Sequence, residues 1–199
     1  PPPPPQTPTR PPPHPHSFPT RRSSDLPEAR HEAYTQKVLW IMIEVDAMPA
    51  QQLKSFLDSN HVKYKTISHS PEYTAQEIAA SAHIPGKDLA KTVIVKVDGE
   101  FAMAVLPATR HLSLSRLRKA AGAGDAEIAS EDEFEKLFPD CELGAMPPFG
   151  NLYDMPVYAA EQLTEDETIA FNAGSHSELV QLAYEDFDKL VHPKVAPLS

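Results

Sequence analysis

Beyond residue 48, apolar and polar positions follow two periods, and the switches between them predict the elements of a fold. Leu53, Phe56 and Leu57 recur at i, i+3 and i+4, which predicts a first helix. Tyr64 to Ser68 is short and alternating, as a strand would be. Thr74-x-x-Glu77 has the form of a capping box, opening a helix whose inner face is Ala75, Ile78, Ala79 and Ala82 and which Pro85-Gly86 ends. The β-branched run Thr92 to Val97 meets Glu100 to Leu106 through Asp98-Gly99, a strong hairpin signal. Ser113 is placed to cap a helix using Leu114, Leu117 and Ala121. Ala126 to Ala129 reads as a strand, and Ser130-x-x-Glu133 as the start of a helix carrying Phe134, Leu137 and Phe138. Short strands follow near residues 156–159, 168–172 and 178–183, then a last helix with Phe187, Leu190 and Val191 facing inward. Hairpins mixed with helices, without regular βαβ repetition, predict a single α+β domain around a mixed, mostly antiparallel sheet flanked by helices.

The first 47 residues do not share this patterning. Residues 1–27 hold 12 of the 22 prolines and show no apolar period. His16 to Leu26, HSFPTRRSSDL, looks like the in-frame translation of a common sequencing adapter. Residues 1–26 are therefore expected to be a library artefact and are set aside, against the alternative of a genuine Pro-rich, disordered arm. Within the uncertain segment 27–47, Val38 to Val45 is apolar but far short of the ~20 residues that span a bilayer. It also lacks a small-residue cleavage site. Met48 is the expected natural start, with Met42 the other candidate, and an added edge strand is the expected use of 38–45 if it belongs to the protein.

Residues 48–199 have the size of one domain. They carry 13 Lys and Arg against 23 Asp and Glu. That acidity excludes a protein that coats nucleic acid non-specifically, DNA included, while leaving room for a local contact with one end of an RNA. The single cysteine, Cys141, excludes an internal disulfide framework and fits a reducing cytoplasm. No segment predicts a membrane span.

The chain has no nucleophile elbow, P-loop, dinucleotide fingerprint, C-x-x-C pair or H-E-x-x-H. Its histidines are scattered, so neither a metal nor a cofactor is expected. Asp140 and Glu142 flank Cys141 and would raise its thiol pKa, which makes a passive cysteine the better reading. What stands out is Gly144 to Gly150, GAMPPFG. Two glycines and two adjacent prolines make a stiff loop, poor in side chains, that could offer main-chain groups to a ligand. An ordinary surface turn has the same composition. Lys91, at the entrance of the most apolar strand, could snorkel at a sheet edge or hold an oxyanion as a point charge. Arg110, Arg116, Arg118 and Lys119 form the largest basic cluster. It is either the solvated face of a helix or a contact for RNA phosphates.

The ordered set Thr74-x-x-Glu77-x-Ala79, Leu89 to Lys96, the Asp98-Gly99 hairpin, Gly144, Pro148 and Gly150, and Phe171 to His176 resembles the YbaK/ProXp family across residues 48–199. These are the editing domains associated with prolyl-tRNA synthetase, which also occur as free-standing proteins. The resemblance implies a YbaK-like fold with a barrel-like sheet, and a cytoplasmic, trans-acting hydrolase for the ester of mischarged tRNA. The expected partners are the acceptor end of that tRNA and an aminoacyl-tRNA synthetase, and the expected state is a monomer or weak dimer. In such a family the loop and the substrate's own ribose hydroxyl position water, and no protein nucleophile is used. Carried over by position, Gly144, Ala145, Met146, Pro147 and Pro148 would be that loop, with Lys91 near the tRNA 3′ end. Tyr64, His69, Thr74, Phe149, Gly150, Asn172 and His176 would line the aminoacyl pocket. Read from charge rather than from the resemblance, Arg110, Arg116 and Arg118 could touch acceptor-stem phosphates. Asn172-Ala173-Gly174 could equally be a plain turn. A catalytically idle relative that binds tRNA or a protein, or a hydrolase of small esters or amides, are the competing functions.

Overall fold

The computed structural model describes residues 49–69 and 84–199. The Thr74 capping box, its helix and the apolar run at 38–45 lie outside the described residues. Helix α1 (Pro49–Ser59) forms where the helical period predicts it and buries Leu53 and Leu57 completely. Strand β1 (Tyr64–Ser68) follows. β2 (Ala90–Val97) and β3 (Glu100–Pro107) make an antiparallel hairpin with Val97 opposite Glu100. Its turn needs positive φ at two residues, supplied by Asp98 at 51° and Gly99 at 88°. The Asp98 carboxylate also accepts the Asp125 N–H at 2.8 Å.

Helix α2 (Leu114–Ala121) ends at Gly122, whose φ of 74° is the left-handed geometry glycine favours. β4 (Ala126–Ile128) precedes α3 (Glu131–Phe134), a single turn that tightens into a 3-10 turn over Glu135–Leu137. The Glu133 carboxylate accepts the Ser130 N–H at 2.9 Å and its hydroxyl at 2.8 Å, so the predicted start is correct. The helix is shorter than the pattern predicts. Its tighter pitch turns Leu137 out to 40% exposure, while Phe134 and Phe138 stay buried edge to face. β5 (Val157–Ala160), β6 (Thr168–Asn172), β7 (Glu178–Ala183), α4 (Tyr184–Val191) and β8 (Lys194–Ala196) complete the chain. In α4, Phe187 is buried, and Leu190 and Val191 are half-buried against the core.

The strands form two sheets, ordered β1-β7-β6 and β4-β2-β3-β5-β8. They do not close into the barrel-like sheet the resemblance implies. Four pairings are antiparallel, whereas β3–β5 and β5–β8 are parallel. Parallel neighbours require long crossovers, which the segments between β3 and β5 and between β5 and β8 provide. An isolated parallel bridge, Leu89 to Ala170, ties the sheets together.

Strand alternation divides the interior. Ile94, Met103, Val105 and Val157 of the larger sheet meet Ile169, Phe171, Val180 and Leu182 of the smaller one, with Leu53, Leu57 and Phe187 from the helices. On the other face of the larger sheet, Val95, Ala102, Ala104 and Leu106 pack under Leu117 of α2 and against Leu198. A third, smaller group joins Ile84, Leu89, Ala108, Ala170 and Leu179 beside the bridge.

Candidate functional site

The GAMPPFG loop is built into the main core. Ala145 to Gly150 are all buried and only Gly144 is exposed. The cradle expected to lie open is therefore closed along most of its length. Phe149 has no exposed surface and meets Phe56, Phe171 and Phe187 at ring-centroid distances of 6.0, 5.6 and 5.7 Å. Gly150 is glycine because the chain folds back on itself: a Cβ there would lie 2.4 Å from the Met155 carbonyl oxygen and 2.6 Å from Val157 Cγ2. Both were expected to line the pocket, and both instead anchor the loop. Gly144 differs, with φ of 86° and a Cβ position 3.5 Å from His176 Cε1, which is ordinary contact. Among the described residues, the amides of Leu143 and Gly144 have no hydrogen-bond acceptor.

A second loop is clasped to this one. The Glu142 N–H donates to the Gly174 carbonyl at 2.9 Å, and the Gly174 N–H donates to the Ala145 carbonyl at 2.9 Å. The Glu142 carboxylate accepts the His176 main-chain N–H at 2.5 Å. His176 Nε2 lies 2.8 Å from the Leu143 carbonyl oxygen. A carbonyl can only accept, so Nε2 carries the proton in this arrangement. The GAMPPFG and FNAGSH segments, read separately from the sequence, thus form one structural unit. Glu142 holds both, and nothing in the local sequence distinguishes this exposed acid from its neighbours. On the far side of the turn, the His69 N–H donates to the Ser177 carbonyl at 3.0 Å, bringing His69 to the same end of the small sheet.

Lys91 stands two residues beyond the bridge between the sheets. Leu89 pairs with Ala170, and two residues further along each strand stand Lys91 and Asn172. Asn172 leads directly into the clasped turn, and its buried Oδ1 has no hydrogen-bond partner among the described residues. The Lys91 amine donates to the Ala108 carbonyl at 3.3 Å. Partial burial pulls its pKa below the ordinary lysine value, because a half-desolvated ammonium is disfavoured. Lys91, Asn172, His176 and Gly144 are thereby linked within a few residues of main chain.

Other predicted residues stand elsewhere. Tyr64 pairs with Leu182, whereas Ser68, at the other end of β1, pairs with Glu178 beside the turn. Four residues of strand, ~13 Å, separate Tyr64 from that end. Thr74 lies outside the described residues. Arg110 lines a cavity of about 280 Å³ with Lys87, Glu165 and Asp166, where carboxylates balance it. Arg116 lines another cavity with Lys119 and Lys194, and Arg118 is in neither. The basic cluster seen in the sequence is thus split in space.

The Cys141 thiol is pushed up by burial, an effect that the Tyr153 hydroxyl, 3.6 Å away, opposes and that Asp140 reinforces. Burial and acid neighbours keep it protonated, the wrong state for a nucleophile. Among the described residues, no cluster of three His, Cys, Asp or Glu could hold a metal, and no helix is long and apolar enough to cross a membrane.

Comparison with known proteins joins these observations. The model of the aminoacyl-tRNA editing domain matches residues 69–190, a span containing Lys91 and both clasped loops. The prolyl-tRNA editing protein ProX of Acetoanaerobium sticklandii is 28% identical over 156 residues, covering 75% of this chain and 93% of that protein. The proline–tRNA ligase of Staphylococcus saprophyticus is 33% identical over 104 residues, 51% of this chain but only 18% of the ligase. Two crystal structures share the fold. One is of a candidate trans-editing enzyme for prolyl-tRNA synthetase, with TM-score 0.66, 19% identity and coverage of 76% of this chain and 96% of that one. The other is of a hypothetical protein, with TM-score 0.67, 18% identity and coverage of 73% and 97%.

Proposed function

The chain belongs to the aminoacyl-tRNA editing domain family, and on that premise we propose that it is a trans-acting aminoacyl-tRNA deacylase of the cytoplasm. Its substrate in this reading is the ester linking a wrong amino acid to the terminal ribose of a tRNA, and the names of its relatives favour proline tRNA. A synthetase pocket separates side chains that differ by one methylene by only ~1–3 kcal/mol, so a second site is needed to remove the errors.

Water attacks the ester carbonyl, the carbonyl oxygen gains negative charge, and the bond to the ribose oxygen breaks as that oxygen takes a proton. The exposed amides of Leu143 and Gly144 are the donors for the developing charge, a role in which one well-placed N–H contributes ~3–4 kcal/mol. Ala145 to Pro148 hold those donors in place from the core side. Lys91 attracts the 3′-terminal phosphate or ester oxygen, and its partial desolvation strengthens that attraction. Asn172 offers its amide oxygen to the substrate's amino group, with His176 forming the wall beside Gly144 and His69 at the same end of the small sheet. The substrate's own ribose hydroxyl orients the water.

The observation that carries this reading is the exposed, positive-φ Gly144 held against the His176 turn. To test it, the full chain is incubated with proline tRNA charged with a panel of amino acids, and ester loss is followed beside Lys91→Ala. Accelerated loss of at least one ester, abolished in the variant, is the expected result. Spontaneous rates across the whole panel would overturn the assignment.

A further inference from the structure

We propose that the groove between α2 and β8 is a second contact surface for the same tRNA, a binding site for its phosphodiester backbone lying apart from the clasped loops. The groove encloses about 410 Å³ and is lined by Arg116, Lys119 and Ala120 from α2, by Lys194 and Val195 from β8, and by Pro197 just after it. Arg116, Lys119 and Ala120 recur at i, i+3 and i+4, so one helix face supplies them, and Arg118 projects from another. β8 adds a cation 75 residues further along the chain than Lys119.

Three features select phosphate as the ligand. First, the chain has a net charge of −10 and pairs four of its other lysines with carboxylates. Lys54 pairs with Glu178, Lys87 with Asp88 and Asp166, Lys96 with Glu127 and Glu133, and Lys189 with Glu185. Among the described residues, Lys119 and Lys194 take part in no ion pair, and no carboxylate side chain lines the groove. Arg116 donates to the Ser199 carbonyl, which holds its guanidinium at the groove's rim. Second, Val195 is 44% exposed among these cations. Apolar surface between positive charges suits a ribose-phosphate chain, which presents sugar faces between phosphates. Third, the groove is on the appropriate side of the sheet. Lys91 shares its strand face with Val93 and Val95, and its register partner is Leu106, all on the face that α2 covers. The segment running from Ala108, where the Lys91 amine is bonded, leads directly into α2. An RNA ending at Lys91 can therefore follow that segment to the groove without crossing the sheet.

This inference rests on tRNA being the substrate, and its test reads binding rather than hydrolysis. Uncharged proline tRNA, fluorescently labelled, is titrated with the full chain at several salt concentrations, comparing wild type, K119E/K194E and K63E/K65E. Lys63 and Lys65 are also exposed and, among the described residues, take part in no ion pair, but they stand at the start of β1 in the smaller sheet, so the second double variant alters net charge equally. We expect K119E/K194E to weaken binding at least about tenfold and to flatten the logarithmic salt slope by about two, with K63E/K65E close to wild type. Equal effects of both variants would reduce the groove to a general charge effect and overturn the proposal. So would an unchanged K119E/K194E, or a wild type that binds no tRNA. A chain that binds through the groove yet hydrolyses no ester would instead sink the deacylase assignment alone.

Discussion

Changing Gly144 and Gly150 to alanine, one at a time, separates the two jobs of the loop. At Gly150 the new methyl would lie 2.4 Å from a backbone oxygen and 2.6 Å from a valine methyl, about 1 Å inside normal contact. Neither neighbour is the end of a flexible chain, so the backbone must shift. Overpacking of this kind costs ~1–3 kcal/mol or more, and at ~2–4 °C per kcal/mol the melting temperature should fall by roughly 5–10 °C. At Gly144 there is room for the methyl, and the cost comes from φ of 86°, a conformation that penalises an L side chain by ~1–2 kcal/mol. Gly99, with φ of 88° and nothing within 4 Å, provides a matched control far from the loop. Thermal melts and deacylation rates should therefore diverge. Gly99→Ala and Gly144→Ala should melt within a degree or two of each other, while only Gly144→Ala loses kcat/KM, by at least about tenfold. Gly150→Ala should melt lowest and, where still folded, retain more activity than Gly144→Ala. Equal activity for Gly144→Ala and Gly99→Ala would show that nothing reacts against the exposed face of Gly144, and the site would have to be sought elsewhere.

Four further outcomes follow from the same geometry. Burial lowers the Lys91 pKa, so if the charged amine binds substrate, activity corrected for spontaneous hydrolysis should fall as pH rises through that lowered value, below the ordinary lysine range. Lys91→Arg should keep its activity to higher pH, and a variant limb identical to wild type would remove the amine from the mechanism. Because desolvation penalises the charged form in the folded state, this lysine lowers stability at neutral pH, and the penalty is relieved as pH climbs past its folded-state pKa; denaturant melts from pH 8 to 10.5 should move in that direction once other groups are held constant. Cys141→Ser should leave deacylation within about twofold of wild type, since its thiol is held protonated, and a loss of two orders of magnitude would revive the nucleophile. Phe149→Ala should cost ~3–5 kcal/mol through the cavity left among three aromatic rings, and a loss below ~1 kcal/mol, read by urea titration, would contradict its place in the core.

What the sequence made legible was local. Helix α1, the β2–β3 hairpin and the start of α3 each rest on contacts within a few residues: a 3.6-residue period, a turn needing two positive φ values, a carboxylate three positions from a serine. The split into two sheets was not visible, because parallel pairing of β3 with β5 and of β5 with β8 is decided by long crossovers that leave no mark on either strand. β8 was missed for the same reason, being three residues with one buried side chain. In the candidate site, Gly144 was singled out by composition and is the exposed residue of its loop, whereas Phe149 and Gly150 were read as pocket and are buried in the core. A large aromatic between proline and glycine gave no indication of which way it pointed. Glu142 was invisible, since its bond to His176 spans 34 positions.

These misreadings share a cause that bears on how the site works. Sequence reading looks for reactive side chains, whereas the surface proposed here to meet the ester is main chain, held in position by residues buried in the core. Met146 and Phe149 fix the loop from below through the core, and Glu142 and Gly174 fix it laterally through three hydrogen bonds. Within Gly144 to Gly150 only Gly144 remains exposed. Preorganised donors need no rearrangement as charge develops, which is their advantage over flexible side chains. The same rigidity makes activity depend on the core. A substitution at Phe149 or Glu142 should thus impair hydrolysis of every aminoacyl ester alike, whereas one at Asn172 or His69, proposed to line the pocket, should change which ester is preferred. Rates for two differently charged tRNAs on each variant distinguish these patterns, and a Glu142→Ala protein with altered preference but undiminished rate would break the division between scaffold and pocket.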